Sequence, residues 1–398
     1  MRLFFVLLLS LFLVRPLGAR IYVDITGPSS TKVGVALSLS GYPVKGFDVT
    51  LKRDLFLYGI FVVYPVDRLH LSPDRLSLVG ADLYLGVEKS VFGDRLKVAY
   101  VVKDVTDDVV IKSAVLEGDR TAAVKMAHMI ADTLYQAVTG NRGMFSRRAV
   151  AFRKVLGGYE LVLLDVGAMR YRKLYFFKKP AQSPSLSPDG KRVVFSFMGG
   201  GDFDIYLLDI TTGKLKRVCG TKGPDTAPQW FPDGRRIVFA GTVGDNTDIF
   251  ECDVETGRLK RITRSISIDT MPTVSPDGEK VAFVSNRAGH PNIYIKELST
   301  GLEYRVTTGS YDVSPSWSPK GDAIAFSSIV DGTNMVGVYN INTGVVRYMA
   351  RGEDPTWSPN GDYLLYVRGT GLYMVPVYGS AGSGVRLFVG RWINPCWR

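Results

Sequence analysis

Histidine and cysteine are scarce, three of each in 398 residues. His70, His128 and His290 stand far apart, and neither His-x-x-x-His nor Cys-x-x-Cys occurs, so zinc-type ligand spacing is missing. There is no Gly-x-Ser-x-Gly elbow, the anchor a serine hydrolase domain would need. No catalytic residue, cofactor or metal is expected. Cys219, Cys252 and Cys396 are too few and too scattered for a disulfide framework and read as small buried hydrophobes. A long apolar run is absent too: Leu3 to Val14 is about a dozen residues, where about 20 are needed to span a bilayer. With Met1-Arg2 ahead of it and Leu17-Gly18-Ala19 behind, that run has the parts of a secretory signal peptide cut after Ala19. No cysteine follows it to carry a lipid, so an exported protein peripheral to the membrane is expected.

What is abundant is a repeat. SPDGKRVVFS, FPDGRRIVFA, SPDGEKVAFV, SPKGDAIAFS and SPNGDYLLYV place prolines at Pro188, Pro232, Pro276, Pro319 and Pro359, spaced by 44, 44, 43 and 40 residues. That period suits one four-stranded propeller blade per unit. Within Pro228 to Thr263 a short apolar run meets Pro232-Asp233-Gly234, where proline presets φ and glycine tolerates the positive φ of a tight reversal. Three more β-branched or aromatic runs follow, separated by Asn/Asp/Gly turns. The opening strand, Pro-x-[Trp/Leu/Val], recurs at Pro184, Pro228, Pro272, Pro315, Pro355 and Pro395. The last unit has only this strand, while Ala149–Phe152, Leu161–Leu164 and Lys173–Phe177 read as three strands lacking a first. Each fragment completes the other, giving six blades closed by the C-terminal strand with no free edge.

Ahead of the propeller lies an α/β domain of about 120 residues, enough for its own core. The organisation read from the sequence is residues 1–19 signal peptide, 20–143 α/β domain and 144–398 propeller. Arg20–Ile25 is strand-like, Phe47 to Val62 starts with the helical spacing Val49, Leu51, Leu55, Phe56 and turns β-rich, and strands are expected at Ala81–Gly86, Leu96–Val102 and Val109–Val115. Val124, Ala127, Ile130, Leu134 and Val138 repeat at helical spacing, with Gly140 at the C-cap position. Ser72-Pro73-Asp74-Arg75 looks like the repeat signature but lacks its glycine and the strand after it.

The exported α/β domain, the junction Val138-Thr139-Gly140-Asn141-Arg142-Gly143-Met144-Phe145-Ser146-Arg147-Arg148 and the SPDG propeller together resemble the TolB family, periplasmic propeller proteins of the Tol-Pal system of Gram-negative bacteria. The resemblance runs from Arg20 to Trp397 and is weakest over Gly27 to Val62. It implies a non-enzymatic binding protein that docks the lipoprotein Pal over the mouth of the propeller channel, communicates with TolA through its N-terminal segment and supports outer-membrane integrity during cell division. Other outer-membrane proteins are further candidate partners, and a monomer is expected. An exported propeller that holds a small ligand or carbohydrate in its channel is the alternative.

Candidate contact residues lie before each inner strand, where loops should ring one opening of the channel: Ser183; Asp225, Thr226 and Ala227; Asp269, Thr270 and Met271; Asp312 and Ser314; and Asp354. The aspartates have a second reading as turn-bonding groups. Divergence at the position before proline suits a surface tuned to a partner. Arg20 and Tyr22 are candidates for pairing with a partner's sheet edge or with their own domain's sheet. Asp202 with Asp204 and Asp245 with Asp248 could offer oxygen ligands to calcium but read first as turn chemistry. The net charge of +11 could suit nucleic acid, but the basic residues are dispersed over outer strands (Lys214, Lys216, Arg217, Arg258, Lys260, Arg261), where they protect sheet edges. No nucleic-acid partner is expected.

Overall fold

The computed structural model describes residues 32–66, 72–378 and 384–398. The strand expected at Arg20–Ile25, the signal segment and His70 lie outside them.

The first region is a mixed five-stranded sheet. β1 (Val33–Gly41) runs parallel to β2 (Phe61–Pro65) and to β3 (Leu83–Phe92), and β3, β4 (Arg95–Asp104) and β5 (Val110–Asp119) pair antiparallel in the order β2-β1-β3-β4-β5. α1 (Phe47–Tyr58) links β1 to β2, as a parallel pair requires. Gly46 (φ 85°) and Gly59 (φ 70°) bound it. Leu51 and Leu55 are buried while Val49 and Phe56 face solvent, so only half of the stripe expected there packs inward. Ser72-Pro73-Asp74 opens a second helix, α2 (Pro73–Leu78), and not a blade turn. α3 (Ala123–Thr139) buries Ala127, Ile130, Leu134 and Val138 and ends at Gly140 (φ 75°), whose N–H donates to the Gln136 carbonyl. Among the described residues no helix is long and apolar enough to cross a membrane.

Six four-stranded sheets follow. In blade 1, the strands Ala149–Val155, Gly158–Asp165 and Arg170–Phe177 take Arg391–Trp397 as their inner strand, pairing Ile393 with Phe152 and Trp397 with Ala149. The inner strands of blades 2 to 6 are Ala181–Leu186, Asp225–Trp230, Asp269–Val274, Asp312–Trp317 and Glu353–Trp357. These six strands touch their neighbours in a closed ring.

The repeat is explained by the turn it builds. The serine is the hinge of the turn: Ser187 Oγ accepts from the Arg192 N–H, Ser275 Oγ from Lys280 and Ser358 Oγ from Tyr363, each at 2.9 Å. The aspartate accepts from the backbone beyond it, as Asp233 Oδ1 does from Arg235 and Arg236. Gly190, Gly234, Gly278, Gly321 and Gly361 all have φ between 67° and 78°, which excludes a β-carbon at little cost only if the residue is glycine. The aromatic that ends each motif enters the core: Phe195, Phe239, Phe283, Phe326 and Tyr366 are at most 1% exposed. Inner-strand tryptophans tie blades together, Trp230 Nε1 donating to the Ser185 carbonyl and Trp357 Nε1 to that of Ser316.

Two cysteines depart from the sequence expectation. Cys219, at the end of the outer strand of blade 2, is disulfide-bonded to Cys252 in the third strand of blade 3, and only Cys396 is a free buried thiol. Two bonded cysteines on neighbouring blades are invisible as a framework because a separation of 33 residues matches neither the repeat nor a known spacing, and only the packing of blade on blade brings them together. Closing a loop of 33 residues contributes about 3–4 kcal/mol by chain entropy. Denaturant unfolding with and without a thiol reductant should differ by that amount; identical midpoints would refute the contribution.

Candidate functional site

The inner strands share a defect that shapes one mouth of the channel. Each carries a register shift just before its proline-containing half, as between Thr226 and Gln229, Thr270 and Thr273, and Val313 and Ser316. The residue preceding each proline is pushed into the left-handed region: Ser183 (φ 53°), Ala227 (53°), Met271 (48°), Ser314 (52°), Asp354 (51°) and Asn394 (43°). None is glycine, so each position costs on the order of 1 kcal/mol. Six such residues, one per blade, ring a single cavity of about 230 Å³ together with Thr226 and Thr270.

The ring is chemically uneven. Asn394 Oδ1 accepts from the Ser183 N–H (3.2 Å), Asn394 Nδ2 donates to Asp354 Oδ2 (2.9 Å), and Ser314 Oγ donates to Asp354 Oδ1 (2.8 Å). Burial raises the Asp354 pKa, and the bond from Ser314 opposes it. Opposite this knitted arc, Thr226, Ala227, Thr270 and Met271 form a smoother arc, with Met271 37% exposed.

Seven of the sequence-derived candidates therefore meet at this mouth: Ser183, Thr226, Ala227, Thr270, Met271, Ser314 and Asp354. Asp225, Asp269 and Asp312 do not. They are at most 1% exposed, and each is consumed by hydrogen bonds or an ion pair inside the blade wall. Asp225 accepts from Thr221 N and Oγ1, Asp269 pairs with Arg287 at 3.1 Å, and Asp312 accepts from Ser328 Oγ and the Gly309 N–H. Burial raises the pKa of Asp225 to about 6 and also raises that of Asp269. The physical reason is position: two residues before the left-handed one, the side chain turns into the blade and away from the channel. Arg20 and Tyr22 lie outside the described residues. Of the acidic clusters, Asp204 pairs with Arg217 and Asp248 with Arg261, and among the described residues no group of three or more His, Cys, Asp or Glu is placed to hold a metal ion.

The opposite end of the channel opens into a larger cavity, about 480 Å³, roofed by α3 and the 142–147 junction. Gln229, Thr273, Ser316, Thr356 and Cys396 line both cavities, so they form the wall between the two ends.

Sequence reasoning missed the contacts that fix the first region on the propeller. His128 Nδ1 lies 2.6 Å from Asp54 on α1, and its Nε2 lies 3.0 Å from Asp165 at the end of a blade 1 strand. Tyr135 donates to Asp362 (2.8 Å), and Tyr363 donates to the Tyr58 carbonyl (2.6 Å). The available signal was His128 itself, which sits one residue from Ala127 on the apolar stripe of α3.

The family model of the TolB beta propeller domain matches residues 135–398. The Tol-Pal system protein TolB of Bordetella parapertussis is 30% identical over 208 residues, covering 49% of this chain and 47% of that protein, and that of Syntrophotalea carbinolica is 28% identical over 214 residues, covering 49% and 50%. The chain thus spans about half the length of the curated relatives it matches. Among solved structures, TolB from Acinetobacter baumannii superimposes with a TM-score of 0.84 at 25% identity, covering 94% of this chain and 98% of that one. A putative TolB from Agrobacterium tumefaciens, at 19% identity and a TM-score of 0.51 over 62% of this chain and 91% of that one, shares the fold. The match over the whole propeller, in a chain whose six blades close through the C-terminal strand, means that this protein belongs to the TolB beta-propeller family.

Proposed function

We propose that the protein is a periplasmic scaffold of the Tol-Pal system, which binds the lipoprotein Pal at the mouth ringed by Ser183, Thr226, Ala227, Thr270, Met271, Ser314 and Asp354 and signals to TolA through its N-terminal segment. The observation that carries this reading is the ring of six strained residues, one per blade, whose side chains differ from blade to blade. The bulge that recurs in every inner strand presents a different side chain at the mouth in each blade, and bulges and strained residues of this kind cluster at binding surfaces. The uneven ring supplies what a protein partner needs, an uncharged arc with the apolar Ala227 and Met271 beside a fixed polar one. The relatives named Tol-Pal system protein TolB support the system, and the Cys219–Cys252 bond suits an oxidising compartment.

Calorimetric titration of residues 20–398 with the soluble domain of Pal tests it. Thr226→Arg with Thr270→Arg places two long cations in a mouth of about 230 Å³ and should weaken binding by at least about 100-fold, while the thermal transition stays in place. Unchanged affinity in the folded double variant would sink this placement. Removal of residues 20–24 should abolish TolA binding and spare Pal binding; retained TolA binding would reject the N-terminal role.

A further inference from the structure

The cavity at the other end of the channel has the wrong chemistry to be mere packing space. Its walls carry Trp230, Trp357 and Trp397 from the inner strands, Arg142 and Arg147 from the junction, and Arg398 just after the closing strand. The one acidic residue in the wall is Asp132. Its carboxylate is already engaged: Oδ1 accepts from Tyr58 (2.5 Å) and from the Phe145 N–H (3.0 Å), and Oδ2 accepts from the Ser146 N–H (2.9 Å). Among the described residues no carboxylate of Asp or Glu reaches ion-pair distance of Arg142, Arg147 or Arg398. Arg398 is half-buried, its guanidinium meets only the Leu186 carbonyl at 3.5 Å, and burial lowers its pKa.

Three arginines against one side-chain carboxylate, Asp132, and the α-carboxylate of Arg398 leave the lining of this concavity with a net positive charge, and none of the three is within ion-pair distance of an Asp or Glu side chain among the described residues. Planar guanidinium forks match carboxylate and phosphate oxygens two at a time. The volume falls within the range of about 300–1,000 Å³ typical of small-molecule sites, and junctions between domains are where such sites gather. We propose that this junction cavity binds a small organic or inorganic polyanion, held by Arg142, Arg147 and Arg398 through its carboxylate or phosphate oxygens and flanked by the tryptophans. Because α3 and the 142–147 junction supply one wall and the propeller supplies the other, an occupant bridges the two regions and stabilises their contact. This site is at the opposite end of the channel from the proposed Pal surface and stands independently of it.

Three of the five tryptophans line the cavity, so intrinsic fluorescence reports on it directly. Citrate and pyrophosphate, the carboxylate and phosphate arms, are titrated into residues 20–398 at constant ionic strength, with calorimetry in parallel and sodium chloride as the blank. The expected result is saturable one-to-one binding of one or both anions with Kd below about 1 mM. Arg142→Gln with Arg147→Gln should weaken it at least about tenfold, and Lys216→Gln, on the exposed outer strand of blade 2, should leave it unchanged. Both arginines are exposed, so these substitutions spare the core, and Arg147→Gln alone provides a second, milder variant. Failure of both anions to saturate below about 10 mM, or equal binding by the arginine variants, overturns the proposal.

Discussion

Removal of residues 391–398 should abolish cooperative folding of the propeller. Those residues supply the whole inner strand of blade 1, paired with Ala149–Lys154 through main-chain bonds that no other segment can replace. They also place Trp392 and Trp397, each 4% exposed, and Cys396 in the core. Loss of a buried tryptophan alone costs about 3–5 kcal/mol, and two of them already compete with the total stability of a domain, about 5–15 kcal/mol. Deletion further exposes the edge of Ala149–Val155, four of whose residues are fully buried in the intact ring, and such an edge invites aggregation. Circular dichroism and thermal melting should show no cooperative transition in the truncated chain, and a synthetic peptide of residues 391–398 added during refolding should restore part of it. A truncated chain that melts like the intact one would mean that ring closure is not what holds the propeller together.

The six blades were legible because the repeat is made of turn chemistry. A proline that presets φ and a glycine at positive φ recur in all five units, and a serine that caps the turn and an aspartate that accepts backbone N–H groups recur in most, with Phe231, Lys320 and Asn360 the departures, so the period stays readable. The closing strand was legible for the same reason, since Pro395-Cys396-Trp397 repeats the inner-strand pattern. β1 was not, although it lies inside the first sheet between β2 and β3: Val33-Gly34-Val35-Ala36-Leu37-Ser38 is buried on both faces, and a strand so placed shows no alternation. The aspartates show the limit at the site. Asp225 and Thr226 are adjacent in sequence, yet strand alternation and the bulge send one into the blade and the other into the channel mouth. Sequence marked the loop before each inner strand, and could not say which of neighbouring side chains turned toward the channel mouth.

Substitution of His128 by alanine should destabilise the protein by about 3–5 kcal/mol near pH 7, because it strands a buried carboxylate. His128 is 3% exposed and stands between Asp54, which has no exposed side-chain surface, and Asp165 of blade 1. Burial alone would lower its pKa, but the bonds to Asp165 and Asp54 outweigh that and raise it to about 9. Burial pushes Asp54 up to about 6 despite the bond to His128, and His128 holds Asp165 low against its own burial. Asp132 adds to the negative field at Asp54, and Arg148 offsets it at Asp165. The site is too tight for rearrangement: a β-carbon on Gly167 would come within 2.4 Å of Asp54 Oδ1 and 2.7 Å of His128 Cε1. A histidine whose pKa is raised on folding stabilises fully below its unfolded value of 6.5 and loses that contribution as pH climbs through about 9. The gap between wild type and His128→Ala should therefore narrow above pH 9. It should also narrow toward pH 5, where the stranded Asp54 takes up a proton, since its own raised pKa favours folding only at low pH. Asp54→Ala combined with His128→Ala should recover part of the loss, because no buried charge is then left unpaired. Denaturant unfolding of the wild type, His128→Ala, Asp54→Ala and the double variant at pH 5, 7 and 9.5 measures all of this. A gap independent of pH, or a double variant as unstable as the sum of its parts, would show that His128 only fills space at the junction and does not clasp it by charge.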